Sequence, residues 1–342
     1  MTISEKLVVN IINDFCGDKL EKFEVIDWHD AMQDYGCDKP DLRIPLKLFE
    51  ISEIVKDEEF KVFSEPASKK GSRVVALKVP DGNSLSRGQI DDYTKFVTKL
   101  GAKGLAYIKI NDVNDLENGI QSPILKFLKS ETISNIIKSL DVSTGDLIFF
   151  GAGKESIVNL SMSSLIKKLG DDLDLYLKKW APCWIVNFPM FEINTDGNLT
   201  PLHHPFTLPK SSVKEIKENP QGAIAYAYDV VLNGYEIGGG SLRIYDKSMQ
   251  ETIFEILKIS KEEAKTKFGF LLKALSSGCP PHGGIAFGLD RIVMLITETT
   301  NIRDVIAFPK TQSAACLLTD APSKVEKDQL DELKIISTHK EK

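Results

Sequence analysis

Asp229 and Glu236 flank the dipeptide Asn233-Gly234, and that spacing can bring two carboxylates together. Asn-Gly between apolar residues is a strong hairpin signal, because both turn positions need positive φ. With a two-residue turn, Leu232 pairs with Tyr235, Val231 with Glu236, and Asp229 falls opposite Gly238. Opposed residues share a face, as do residues two apart on one strand. Asp229 and Glu236 are then diagonal neighbours, with Cβ atoms roughly 7–8 Å apart or less. Two such carboxylates suit hydrated Mg2+ held jointly with substrate phosphates. Gly238 and Gly240 leave the sheet beside Glu236 bare, so a flat ligand could lie against the backbone. The same residues also fit a wet sheet surface whose glycines mark a bend.

Other residues of the same chemistry follow. Arg243 stands seven positions after Glu236, so a regular strand would send it to the opposite face. A bulge within Gly238-Gly239-Gly240 would restore the shared face, and that bulge is expected here. Gly284, Ala286 and Gly288 form a second bare face, opposite an apolar one of Ile285, Phe287 and Leu289 that would pack on helices. Asp290 and Arg291 then open the helix Ile292–Ile296. A helix start favours anions, and a guanidinium there adds fork-shaped donors for a phosphate. An ordinary strand-to-helix crossing, with Asp290 as cap and Arg291 in a surface ion pair, fits equally. His203 and His204 are adjacent and point in different directions, which does not suit one metal held by both; one imidazole could contact a carboxylate.

The elements that must position these groups belong to a chain long enough for two domains. Its 42% hydrophobic and 27% charged residues are ordinary for a folded protein and argue against disorder before the Lys- and Glu-rich tail. No apolar run approaches the ~20 residues of a membrane span, and the start lacks a leader's apolar core. The expected setting is cytoplasmic. Net charge −6 excludes bulk attraction to a polyanion, so an RNA partner would need a local basic surface. The five cysteines lack zinc spacing and read as reduced thiols.

Leu7, Val8, Ile11, Ile12 and Phe15 give residues 1–15 one apolar helical face. From about Pro45 to Gly151 an α+β unit is expected. Val74–Val79 is a strand, Ser86 and Gln89 cap a helix bearing Ile90, Tyr93 and Val97, and Gly101 ends it. Leu105–Ile110 and Leu147–Phe150 read as strands and Lys126–Leu140 as a helix. Trp184, Val186 and Phe188 alternate along a further strand.

Taken together, the hairpin, the glycine strand and the histidine pair resemble a class II aminoacyl-tRNA synthetase, with motif 3 at 284–296. The resemblance narrows to the aspartyl enzymes of bacterial type, through Tyr35 to Arg43, Lys103 to Ile108, Trp180-Ala181-Pro182 and Phe188 to Glu192. His203 to Thr207, Asn233 to Arg243, Pro280 to Arg291 and Asn301 to Lys310 extend it, so it covers nearly the whole chain to about Ser323. It implies an α+β fold: part of the antiparallel-sheet catalytic domain with an inserted GAD domain. The implied division is 1–44 catalytic, 45–151 GAD-like, 152–323 catalytic and 324–342 polar tail.

The resemblance also implies an activity, aspartate–tRNA ligation, with ATP as substrate and Mg2+ as cofactor. Arg291 would contact the ATP γ-phosphate, and Gly288, Leu289 and Asp290 would lie beneath the nucleotide. Asp229 and Glu236 would hold Mg2+, Arg243 would face both L-aspartate and ATP, and His203 would contact aspartate. The acceptor would be tRNA-Asp, with tRNA-Asn left open. Motifs 1 and 2 and the anticodon-binding domain are not found. The chain is therefore expected to carry half a site, inactive without a polypeptide that supplies motifs 1 and 2 and docks on the first helix. A nonenzymatic ATP- or tRNA-binding module and a truncated remnant are the alternatives. Asn187 stands where an Asp is expected, and Cys37 where a Ser is.

Overall fold

The computed structural model describes residues 1–20 and 22–338, so the last four residues of the expected polar tail lie outside the described residues. The chain opens with α1 (Thr2–Cys16), β1 (Glu24–Asp27), α2 (Trp28–Tyr35), β2 (Leu48–Glu50), α3 (Ser52–Val55) and α4 (Lys61–Ser68). It continues through β3 (Ser72–Val79), α5 (Arg87–Lys99), β4 (Ala106–Ile110), β5 (Ile120–Gln121), α6 (Ser130–Ser139), β6 (Leu147–Lys154) and α7 (Glu155–Asp172). Next come β7 (Pro182–Val186), β8 (Phe191–Ile193), β9 (Leu199–Pro201), α8 (Val213–Glu218), β10 (Ala227–Leu232) and β11 (Tyr235–Leu242). The first compact unit closes with α9 (Lys247–Ile256), α10 (Lys261–Ser276) and β12 (Gly283–Phe287), ending at Gly288. A second unit begins at Leu289 and contains α11 (Leu289–Ile296) and α12 (Lys327–Leu333). Among the described residues no helix is long and apolar enough to cross a membrane.

Helices mixed with antiparallel sheets make up the first unit. One sheet runs β1-β7-β10-β11-β12, antiparallel except for the parallel β1–β7 pair. Side chains alternate across it. Cys183, Ile185, Ala227 and Val231 enter a core with Ile216 of α8 and Met249 and Ile253 of α9. The opposite face presents Trp184, whose indole N–H donates to Glu5 of α1 at 2.8 Å. Only Val8 and Ile12 of α1 are buried, while Leu7 and Phe15 stay exposed. The expected five-residue apolar face thus divides, because one helical stripe meets the sheet and its neighbours turn outward.

A second five-stranded sheet runs β2-β3-β6-β4-β5 and has a core on each side, and β8 and β9 pair apart from both. Val75, Leu77 and Val79 of β3 face one core, with α5 and α7; Val74 and Ala76 face the other, with α6. Burial on both faces explains why Val74–Leu77 of β3 are apolar without alternation. The capping box at Ser86 and Gln89 is present, and α5 buries Ile90, Tyr93 and Val97.

Two expected elements differ. The helix over Lys126–Leu140 is a 3-10 turn at Leu125–Phe127 followed by α6, with extended backbone at Leu128 and Lys129. That break lets Leu128 enter the core, while Glu58 accepts from the Lys129 N–H at 3.2 Å and from the Thr132 hydroxyl. The strand through Trp184 ends at Val186, because Asn187 takes a φ of 61°. Asparagine tolerates that conformation better than most residues. Its side-chain amide donates to Asp27 at 2.7 Å and accepts from Lys210, so the local polar network is intact with Asn there.

Candidate active site

The β10–β11 hairpin forms through the expected turn, with φ values of 54° at Asn233 and 81° at Gly234. Asn233 is buried and does more than turn. Its side chain accepts from the Ala181 N–H and donates to the Lys179 carbonyl, both at 2.9 Å. Leu232 pairs with Tyr235 and Val231 with Glu236, as the sequence implies. Beyond that pair the register shifts: Val230 opposes Gly238 and Asp229 opposes Gly239, leaving Ile237 as the extra residue.

Two expectations are corrected here. The bulge exists, but at Ile237 rather than within the three glycines, and Asp229 faces Gly239 rather than Gly238. The cause is β12. Gly238, Gly239 and Gly240 pair in regular register with Phe287, Ala286 and Ile285. A Cβ at Gly238 would sit 2.7 Å from the Phe287 ring, and one at Gly240 would run into the Gly284 carbonyl. The glycines are thus committed to close strand approach, and the irregularity moves to the position before them.

The bulge puts Glu236 and Gly239 on one face. A Cβ at Gly239 would lie 2.5 Å from Asp229 Oδ1 and 3.3 Å from Glu236 Oε1, so both carboxylates reach over this single bare residue. Two residues further along is Ser241, buried, with a hydroxyl that has no hydrogen-bond partner. Arg243 follows on the same alternation, as the expected shared face requires.

Burial is the main reason the Asp229 carboxyl is pushed up to about 7, with the charges of Glu236 and Asp38 adding to it and Lys39 opposing. Two acids crowded over bare backbone are relieved by a cation. Among the described residues no group of three or more His, Cys, Asp or Glu side chains is arranged to hold a metal alone. Two carboxylates make no closed protein cage, so a hard cation held there would need water or phosphate oxygens to complete its shell.

Asp38 and Lys39 were not singled out from the sequence. They enter on the loop after α2, which is held at both ends. Gly36 has a φ of 68° and sits so close to α7 that a Cβ would lie 2.8 Å from the Asn159 carbonyl. Asp41 lies under the hairpin turn, 3.2 Å from where a Gly234 Cβ would be, and takes a two-point ion pair from Arg43 at 2.8 and 2.6 Å. Behind the loop, buried Arg73 of β3 donates to the Met32 and Gln33 carbonyls at 3.1 Å. It also donates to Glu50 and Asn159 at 2.8 Å. One guanidinium thereby caps the end of α2 and ties it to the second sheet.

His203 stands edge-on to Phe188 and is shifted down, first by burial; Glu236 and Asp38 pull it up while Arg243 pushes it further down. Its imidazole thus feels both the acids and the guanidinium. His204 was left without a role by the sequence, yet its Nδ1 accepts from Arg243 at 3.1 Å and from the Phe206 N–H at 3.2 Å. Burial, Arg243 and His203 push its imidazole down to about 4. A neutral ring accepting at Nδ1 fixes one fork of Arg243 and leaves the remainder for a ligand. Their positions around Phe206, His282 and Gly284 line a cavity of about 400 Å³.

The bare face of β12 is open at Gly284 and Ala286, as expected, but the face of Ile285 and Phe287 is only half-buried and Leu289 is exposed. β12 is an edge strand, so helices do not cover it as a central strand would be covered. Gly288 donates its N–H to the Ile237 carbonyl at 2.9 Å, tying the end of β12 to the bulge. Leu289, Asp290 and Arg291 form the first turn of α11 in the second unit, whose Ile292 and Met294 are buried.

A model of the tRNA synthetases class II (D, K and N) matches residues 1–312, and the chain belongs to that family of ligases. Members of the class use ATP and Mg2+ to charge tRNA. Solved structures that resemble the chain include a Leishmania major Friedlin protein assigned as an aspartyl-tRNA synthetase, 22% identical with TM-score 0.31, covering 44% of this chain and 25% of that one. The aspartyl tRNA synthetase of Entamoeba histolytica is 21% identical with TM-score 0.30, covering 43% and 25%. Asparaginyl-tRNA synthetase of Pyrococcus horikoshii is 20% identical with TM-score 0.30, covering 39% and 27%. The chain thus spans about a quarter of the length of each.

Proposed function

We propose that this chain serves aspartate–tRNA ligation, activating L-aspartate with ATP and passing it to tRNA-Asp. The observation that supports this most is the convergence of Asp229 and Glu236 over Gly239, with Arg243 held by His204 Nδ1 at 3.1 Å. A guanidinium braced by a neutral histidine suits a substrate carboxylate, whereas an asparagine amide would leave that charge unpaired. A lysine ammonium would be repelled by it.

In the first step the α-carboxylate of aspartate attacks the ATP α-phosphorus, and pyrophosphate leaves. Bound at Asp229 and Glu236, Mg2+ would neutralise charge on the phosphates. Arg243 orients the substrate, His203 contacts aspartate, and Gly239 keeps the backbone open beneath it. Arg291 is assigned to the γ-phosphate, with Gly288, Leu289 and Asp290 under the nucleotide. In the second step a ribose hydroxyl of the terminal adenosine attacks the activated carbonyl carbon, and AMP leaves. Neither step needs a protein nucleophile; positioning and charge neutralisation supply the rate.

The α-phosphate contact is assigned to motif 2, brought to this half-site by a polypeptide that carries motifs 1 and 2. The unit over 45–151 is read as a GAD domain, and the setting as cytosolic. The second reading is a module that binds ATP without turning it over. The deciding assay is amino-acid-dependent ATP–pyrophosphate exchange, alone and with a polypeptide carrying motifs 1 and 2. Exchange with aspartate that is lost in Arg291→Ala is expected. Exchange with lysine or asparagine in its place would sink the aspartate assignment, and ATP binding without exchange under either condition would select the second reading.

A further inference from the structure

A cavity of about 1030 Å³ lies on the β2–β6 sheet, apart from the carboxylate pair. It is more than twice the volume of the about 400 Å³ cavity at Arg243. Lys61, Lys69, Lys70, Lys103 and Lys154 line it, all exposed, with Glu65 as the sole acid. In a chain of net charge −6, five cations around one hollow are a local inversion of the average. None of the five has an ion-pair partner among the described residues, so their charge is uncompensated by the protein.

The floor is open backbone. β4 pairs with β6 only from Leu147 to Phe150, so Gly151 to Lys154 carry a strand partner on the β3 side alone. A Cβ at Gly71, Gly104 or Gly153 would meet nothing within 4 Å, which leaves room for a bulky ligand to approach the chain closely. Lysines are point charges on flexible stems and do not impose the planar fork geometry of arginine. Five of them around a hollow therefore match a repeated phosphate better than a single small anion. A lipid surface would need a convex face with apolar side chains reaching outward, and here the cations ring a concavity. The family already acts on an RNA.

We propose that this groove binds the phosphodiester backbone of RNA, as a contact separate from the amino-acid site and independent of which amino acid is activated. Recognition there is of charge and shape, not of base sequence. The test is fluorescence anisotropy of a labelled RNA hairpin titrated with the full chain over a range of salt. Replacing Lys69, Lys70 and Lys103 together by Gln should weaken binding roughly tenfold or more and flatten the salt slope by about one unit per lysine removed. All three are exposed, so circular dichroism should show an unchanged fold. The matching triple Gln variant at Lys6, Lys138 and Lys261, exposed elsewhere on the first unit, should bind as the unaltered chain does. Unchanged affinity and slope in the groove variant would overturn the proposal. So would equal loss in the control variant, or poly-glutamate binding as tightly as RNA at the same salt. Because the readout is RNA binding, a failed exchange assay leaves this result intact, and the reverse also holds.

Discussion

Gly239 and Gly240 are neighbours on one strand, and alanine at each should fail in a different way. Neither has positive φ, so the backbone accepts a side chain, and only the surroundings decide. At Gly239 the new methyl would sit 2.5 Å from Asp229 Oδ1 and 3.3 Å from Glu236 Oε1. Ordinary carbon–oxygen contact is nearer to roughly 3.5 Å, so the Asp229 carboxylate must swing by about 1 Å. Mg2+ holds its oxygens at about 2.0–2.1 Å in near-ideal octahedral geometry, and a shift that large removes the ligand. Overpacking of this size costs about 1–3 kcal/mol, or a Tm loss of roughly 2–12 °C at about 2–4 °C per kcal/mol. At Gly240 the methyl meets the Gly284 backbone carbonyl, which cannot rotate away, so β12 must separate from β11. Gly239→Ala should therefore keep its fold and lose at least roughly tenfold in cation affinity, as read by electron paramagnetic resonance of Mn2+ with ATP. Gly240→Ala should melt well below it. Unaltered Mn2+ binding by Gly239→Ala, or wild-type melting of Gly240→Ala, would refute the geometry on which the site rests.

Asp229→Asn tests the raised carboxyl. Its folded-state pKa of about 7 lies above the 3.8 of a free aspartate, so the folded chain binds that proton more tightly and loses stability as pH rises from about 4 to about 7. Without divalent cation, the Asn variant should melt above the unaltered chain at about pH 8, and the gap should close toward about pH 5; a gap independent of pH would contradict the assignment. Arg73→Met strands Glu50 and the carbonyls of Met32 and Gln33, and should cost about 3–5 kcal/mol in a urea midpoint with unchanged slope. His204→Ala should keep the fold and abolish thermal stabilisation by aspartate, while His204→Gln, whose amide oxygen can accept from Arg243, should restore part of it. Since His204 is pushed down to about 4, the difference in aspartate stabilisation between the His204→Gln variant and the unaltered chain should not change through the ordinary histidine range.

Local chemistry made much of this legible. The Asn233-Gly234 turn, the first two pairs beyond it and the capping box at Ser86 depend on residues within a few positions of one another, and each is present. The two carboxylates of Asp229 and Glu236 could be brought together because hairpin register propagates from the turn. The family strings, dense from Trp180 to Arg291, carried the class. Errors began where a distant partner decided. The helix expected over Lys126–Leu140 broke because Glu58 and the second core claimed Leu128 and Lys129.

By itself, then, the sequence determined the hairpin, the bare strand beside it and the residue types available for a charged ligand. Tertiary structure decided which glycine lies beneath the acids, because β12 holds all three glycines in register and displaces the bulge to Ile237. It also decided that Asp38, Lys39 and His204 join the site, through Arg73, Gly36 and Arg243. The five lysines of the groove were gathered the same way, from segments far apart in the chain that sheet pairing brings together. Periodicity and turn signals reach a handful of residues along the chain, while close strand approach and charge burial depend on neighbours far away in sequence.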